Sequence, residues 1–552
     1  MTTLDLRNTG PVDLHSTGAV LDAEHVGDIR GALGTIRLDD TAPRRGTSAV
    51  LKTLLAIVGP GLIVMVGDND AGAFATYGQA GQDYGTKLLW TLLLLVPVLY
   101  VNQEMVLRLG AVTGVGHARL ILERFGKFWG AFSVIDLFIL NALTIITEFI
   151  GITLGAGYLG LPKVPAVMLA AAVVVAAAFT GSFRRFERIA IAFCAGSLLL
   201  IPVYFLSHPA LPQMAHDFVL PQLPDGAGGL STVMLLVIGI VGTTVAPWQL
   251  FFQQSYVIDK RITPRFMRYE KVDLWIGICI VLVGGAAVMG ATATAFAHSP
   301  AFGQFTDAAG LASGLQASAG KAAGVLFAIA LLDASIIGAF AVSLSTAYAI
   351  SDVFGINHSL HRGVRGAKGF YAVYAALIGA AVTIVLIPGS PLGLLTEGVQ
   401  VLAGVLLPSA SVFLLLLCND REVLGPWVNG RKVNMFVSAV VAVLVSLSVI
   451  LTASVLFPAI SSRQIIDIMM VCGAAGVLAA GYALSRRLRS AAPAAAAVDR
   501  AGRETWRMPP LSLLKRPDMS MGRKIGMGAL RLYLGVAMVL VIVKIAELAL
   551  GH

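Results

Sequence analysis

Residues 59–90 read GPGLIVMVGDNDAGAFATYGQAGQDYGTKLLW. The apolar run from Leu62 to Val66 passes straight into Gly67, Asp68, Asn69, Asp70, Ala71, Gly72 and Ala73, then returns to small and apolar residues. A carboxylate at the centre of a membrane helix costs roughly 2.5 kcal/mol or more, so an acid at that depth needs a reason. A glycine beside the acid loosens the helix, and irregular polar backbone at membrane depth is tolerated where it serves a cavity or a bound ion. A second apolar segment is broken in the same manner by Ala246-Pro247-Trp248, within Thr243 to Gln253. Pro247 supplies no N–H, which frees carbonyls upstream, including that of Thr243. Two loosened apolar helices, one of them acidic, point to a membrane cation transporter.

Composition agrees. The 552 residues are 57% hydrophobic and 13% charged, with mean hydropathy +0.81, whereas soluble chains carry about 25% charged residues. Fifty-nine glycines suit close helix packing in lipid. The net charge of +9 sits beside the apolar segments, which membrane topology explains better than a nucleic-acid partner. Cys194, Cys279, Cys418 and Cys472 all fall in apolar segments with no Cys-x-x-Cys, so buried thiols are expected rather than disulfides or a metal site. All nine histidines lie in loops, tails or span ends, which leaves no imidazole for a mid-membrane proton relay.

Twelve apolar segments of spanning length are expected, at about 53–76, 86–107, 129–156, 164–180, 189–207, 232–257, 272–297, 323–350, 370–388, 396–417, 434–457 and 464–485. The chain then divides into a polar N-terminal tail (1–48), a core of spans 1–10 (49–420), spans 11–12 (421–489), a linker (490–523) and a C-terminal helix (524–552). That last helix is either a thirteenth span or interfacial. No apolar signal-peptide core follows the start, so the tail reads as soluble and flexible. Eighteen Lys and Arg residues follow the even-numbered spans, from Arg108 to Lys432. Only Lys87, Lys163, Lys321 and Arg463 lie in the alternate loops. This bias puts the N-terminus, the tail and the linker on the cytoplasmic side of a multi-pass cell-membrane protein.

Within that frame Asp70 is the leading ligand for a hard cation, because a carboxylate beside unwound backbone offers charge and carbonyls together. Asp68 either lines the outer vestibule or joins Asp70 if the backbone unwinds. Gln400 offers an amide oxygen in span 10. Glu148, deep in span 3, either pairs structurally or tunes a conduction path. Trp248 has only a donor N–H and is expected as a wall or gate. Asp333 and Glu397 are further intramembrane acids with weaker claims. No nucleophile–base pair, phosphate loop or His-rich set suggests an enzyme.

At these positions the chain resembles the Nramp family of divalent-metal transporters, from Gly59 to about Asp420. Gly59-Pro60-Gly61, Asp70-x-Gly72, Gln79-Ala80-Gly81 and Tyr84-Gly85-x-Lys87-Leu88-Leu89-Trp90 follow the family's first span and loop. Glu148-x-Ile150-Gly151, Phe186-Glu187-Arg188, Gly242-x-Thr244-Val245-x-Pro247, Gln400-Val401 and Leu407-Pro408 resemble later motifs. The resemblance implies an all-α membrane protein of LeuT type. Spans 1–5 and 6–10 form inverted repeats, two or three helices follow, and the broken helices hold the ion at midplane near Gly67, Asp70 and Thr243.

The departures cluster in that site. Where the family has Asp-Pro-Gly-Asn, this chain has Asp70-Ala71-Gly72-Ala73, and where it has Met-Pro-His, Ala246-Pro247-Trp248. A second family histidine falls at Gln253, and an Asp of the third span at Ile145. Loss of a soft thioether and of an amide, at Ala246 and Ala73, leaves a larger, harder site, suited to an ion that keeps its waters, as Mg²⁺ does. The pattern resembles the Nramp-related magnesium transporters and implies Mg²⁺ transport, with Mn²⁺ also accepted and no proton coupling. Open alternatives are a proton-coupled Mn²⁺ or Fe²⁺ importer, a carrier of a small cationic organic solute, and a metal-binding receptor without flux. The transported cation is the only ligand expected, the lipid bilayer the only other partner, and the oligomeric state is left open.

Overall fold

All twelve segments are helical in the computed structural model, which describes residues 23–224, 229–388, 392–457, 460–489 and 502–514, with isolated positions from 517 to 543. The first segment is α1 (Thr47–Ile57), α2 (Pro60–Val66) and α3 (Ala71–Tyr84); α4 (Trp90–Thr113) is the second, and α5 (His117–Phe125) connects onward. α6 (Lys127–Tyr158), α7 (Lys163–Ala178) and the pair α8 (Phe183–Gly196) and α9 (Leu200–Ser207) follow, then a short α10 (Leu211–Val219). The sixth segment is α11 (Gly229–Thr244) and α12 (Pro247–Asp259); α13 (Met267–Phe296) leads to a connecting α14 (Ala308–Ala319). α15 (Lys321–Phe354), α16 (Lys368–Val385), α17 (Leu392–Cys418), the single turn α18 (Arg421–Leu424), α19 (Arg431–Leu456) and α20 (Ser462–Arg489) complete the bundle.

Among the described residues nine helices are long and apolar enough to cross a bilayer, and α1 with α2, bent by 53°, makes a tenth candidate. α7 has 16 residues, about 24 Å of helix at 1.5 Å per residue, short of a ~30 Å hydrocarbon core. The breaks lie where the chemistry puts them. Asp70 caps α3 through its side chain, and Pro247 opens α12, where its missing N–H is harmless. α2 and α3 pack on α13, α6 on α15, and α11 on α17. The last contact depends on Gly242, where an added Cβ would lie 3.0 Å from the Gly404 Cα and nearer still to the Gln400 carbonyl.

The expectation of a flexible tail over 1–48 is corrected for its second half; residues 1–22 lie outside the described residues. β1 (Ile29–Arg30) pairs antiparallel with β2 (Thr35–Ile36), and Ile29, Ala32 and Ile36 are buried against the bundle. Guanidinium groups of the bundle hold the carbonyls of this segment, which hydropathy does not reveal. The linker 490–523 is likewise seated where it is described. The Trp427 indole donates to the Arg503 carbonyl at 2.7 Å, the Arg503 guanidinium lies 4.8 Å above the Trp427 ring, and the Met508 N–H donates to the Val112 carbonyl at 3.3 Å. Residues 490–501, and the expected C-terminal helix 524–552 apart from isolated positions, lie outside the described residues. Cys194 and Cys418 are buried thiols as expected, whereas Cys279 is exposed on the protein surface and Cys472 partly so.

Candidate functional site

The chain leaves helical geometry between Val66 and Ala71. Gly67 ends α2 with its N–H on the Ile63 carbonyl, and Asp70 is extended at φ −81°, ψ −171°. An Asp70 carboxylate oxygen accepts the Ala73 N–H at 2.9 Å. This is an ordinary N-cap in an extraordinary place, with Asp70 only 3% exposed. Glu148 of α6 comes to the same turn. One of its oxygens accepts the Ala71 N–H at 3.2 Å, next to the Asp70 cap on Ala73, and its other oxygen has no partner among the described residues. Gln400 of α17 presses on Gly72, where an added Cβ would lie 3.1 Å from the Gln400 Cγ and overlap the amide. The Gln400 Nε2 also has no partner among the described residues. Asp70, Glu148 and Gln400 thus converge on Ala71–Ala73.

The sixth segment forms the facing wall. Ala246 is the extended N-cap of α12 and is buried. Pro247 brings no N–H to the Thr243 carbonyl four residues back, and the buried Thr243 hydroxyl has no partner among the described residues. Trp248 is fully buried and reaches Gly67, where a Cβ would sit 3.6 Å from the indole Cη2. Its carbonyl accepts from the Ser345 hydroxyl at 2.8 Å. The indole thus lies between the two breaks.

Asp68 faces a different set of groups. One oxygen accepts from the Gln249 amide, which itself accepts from the Gln103 amide at 2.8 Å, while the other oxygen has no partner among the described residues. Of the two readings, the vestibule or the ligand shell, the geometry gives Asp68 its own amide network. Asp333 packs on Gly196 of α8 rather than on the break, and the Glu397 side chain lies outside the described residues.

Sequence reasoning missed several participants. Gln249 and Gln103 hold Asp68, and the Tyr77 hydroxyl meets that of Thr244 at 2.7 Å. Asn69 donates to the Val281 carbonyl at 3.3 Å, and its oxygen has no partner among the described residues. Asp136 of α6, also overlooked, is buried, with one oxygen lacking a partner among the described residues, in a small cavity it shares with Ser133, Pro247 and Ser409. The available signal was the density of amides in apolar sequence: Gln249, Gln253 and Gln254 all lie in α12, and Gln253 has no side-chain partner among the described residues.

A small cavity lined by Ala71, Gly151, Asp307 and Thr396 adjoins the break on one side. On the other, the α1–α2 junction is knotted. Asp273 accepts from the N–H groups of Gly59 at 3.2 Å, Gly61 at 2.6 Å and Leu62 at 3.3 Å. Lys260 donates to the carbonyls of Ile57 at 2.5 Å and Val58 at 2.9 Å, and pairs with Glu187 at 2.7 Å. Among the described residues no three His, Cys, Asp or Glu side chains form a closed metal cluster. The arrangement suits transient contact with a cation rather than permanent chelation.

The family described as natural resistance-associated macrophage protein-like, Nramp, matches residues 61–454. A divalent metal cation transporter MntH of Burkholderia ambifaria is 28% identical over 423 residues, covering 74% of this chain and 90% of that protein. The protein of the same name from Ralstonia nicotianae is 29% identical over 403 residues, covering 69% and 86%. A crystal structure of the Eremococcus coleocola manganese transporter, in complex with an aromatic bis-isothiourea substituted compound, superposes with a TM-score of 0.60 at 21% identity. It covers 80% of this chain and 95% of that one. The shared architecture is the LeuT-type fold, with its first and sixth helices broken. With the matched region spanning most of the bundle and both breaks, the chain belongs to the Nramp family of membrane transporters, and is not an enzyme.

Proposed function

We propose that this protein carries a divalent metal cation through the membrane by alternating access, with Mg²⁺ as the principal substrate and Mn²⁺ also accepted, without proton coupling. The names of its relatives support a divalent cation. The observation that carries the finer reading is the donor set at the two breaks. Asp70 and Glu148 offer carboxylate oxygens, Thr243 a hydroxyl with no partner among the described residues and Gln400 an amide, and Ala246 and Trp248 stand where sulfur or imidazole would favour a softer ion. Few direct ligands and unpartnered oxygens suit an ion that sheds only part of its hydration shell. Gly67 and Asp68 complete the proposed lining, with Ala73 leaving room beside Asp70. Following the loop charges, the N-terminus lies in the cytoplasm.

One observation favours a second reading, proton-coupled Mn²⁺ import. Glu148 and Asp70 accept from the Ala71 and Ala73 N–H groups of one turn, and of two carboxyl groups held that close one can carry a proton that an arriving cation expels. Proteoliposomes with an internal pH dye separate the two. Mg²⁺ influx that leaves internal pH unchanged supports the first reading, whereas Mn²⁺ influx with acidification and no Mg²⁺ flux supports the second.

A further inference from the structure

We propose that residues 24–42 form a strap that holds the knotted face of the transporter shut and must detach in each transport cycle. This rests on the transport reading of the site. Four arginines from two places in the fold grip the strap through its backbone. Arg184 of α8 donates to the carbonyls of Gly31 at 3.1 Å and Gly34 at 3.2 Å, and Arg188 to that of Ala32 at 2.9 Å. Beyond α12, Arg261 donates to the Glu24 carbonyl at 2.7 Å and to that of Asp28 at 3.2 Å. Arg265 donates to Asp40 at 2.6 Å and Ala42 at 2.8 Å. Gly31 seats so closely on α1 that an added Cβ would lie 2.9 Å from the Ala56 carbonyl carbon.

The strap also completes the knot beneath it. The two oxygens of Glu187 are divided between the bundle and the strap: one pairs with Lys260, the other accepts the Ala32 N–H at 2.6 Å. Lys260 in turn holds the last carbonyls before the α1–α2 junction. The strap therefore bridges α1, α8 and the α12–α13 turn, the elements that meet around the α1–α2 junction. Separating any of these from the others breaks strap contacts. The grip is on main-chain carbonyls by guanidinium groups that are partly open to solvent, Arg261 the most covered of them, and such bonds exchange with water, so the device is reversible.

Two variants of the full chain test it. Gly34→Cys with Ala56→Cys places a disulfide across the strap. A Cβ at Gly34 lies 2.9 Å from that of Ala56, within about 1 Å of disulfide geometry. The oxidised protein should lose at least tenfold in divalent-cation flux relative to the same protein reduced, and recover with reductant. Oxidised protein that transports at the reduced rate overturns the proposal. Arg184→Ala with Arg265→Ala should speed amide hydrogen exchange at least tenfold in residues 29–36 and, with them, in 57–66. Fast exchange of 29–36 with 57–66 unchanged overturns the proposal. That readout needs no flux, so a protein that moves no divalent cation would sink the transport reading without obscuring the fate of the strap.

Discussion

Asp70→Asn and Asp70→Ala separate the two tasks of one carboxylate. As a cap it accepts the Ala73 N–H at 2.9 Å. Asn caps about as well as Asp, whereas Ala costs about 1 kcal/mol. Thermal unfolding in detergent should therefore place Asp70→Asn near the wild type and Asp70→Ala below it. As a ligand its charge is the issue. An ion held through one water sits about 4 Å from the carboxylate, where a unit pair at an effective dielectric near 20 is worth about 4 kcal/mol and a divalent ion about twice that. Taking two-thirds of this as lost to the ion's own desolvation leaves about 2.7 kcal/mol, close to 100-fold in half-saturating concentration. Both variants should show that shift in Mg²⁺ and Mn²⁺ flux into proteoliposomes, although only one is less stable. Asp70→Asn with wild-type half-saturation would refute the assignment of Asp70 as the charged ligand.

Three further outcomes follow from the geometry. Lys260→Met leaves Glu187 and the Ile57 and Val58 carbonyls without their buried donor, a loss of about 3–5 kcal/mol. A large fall in melting temperature is expected, partly restored by adding Glu187→Gln, and an unchanged melting temperature would contradict the knot. Gly242→Ala forces α11 away from the Gln400 backbone, at about 1–3 kcal/mol of overpacking; flux should fall together with stability, measured on the same preparation. In the loop after α15, burial opposes the charge on His358, but the Asp352 carboxylate at 3.3 Å and the Ile356 carbonyl at 2.9 Å raise its pKa to about 9. A pKa raised on folding gives stability that is complete below about pH 6.5 and lost as pH rises through about 9. Melting temperature should decline over that window in the wild type and stay flat in His358→Gln.

The helical bundle and its two breaks were legible because each carries a signal that survives without partners. Apolar length marks a span, an acid with glycine marks one break, and proline marks the other. Asp70, Glu148 and Gln400 were legible as intramembrane polar residues, and the structure brings them to one turn. The amide chain from Asp68 through Gln249 to Gln103 was not, since an uncharged amide perturbs hydropathy little and its meaning lies in a partner on a distant helix. The seating of residues 24–42 was hidden for a related reason. Its bonds run from arginines 150 or more residues away to backbone carbonyls, and carbonyls are identical at every position. Charge counts put those arginines at the membrane edge without saying what they hold.

The docked stretch at 502–508 changes what a label near the C-terminal end reports. Trp427, in the turn between α18 and α19, and Val112, at the end of α4, fix residues 503 and 508, so the chain beyond 508 departs from beneath α4 rather than from the tip of α20. A fluorophore attached at Leu514 would follow the motion of α4, and its distance to a probe on α12 becomes a ruler across the core of the carrier.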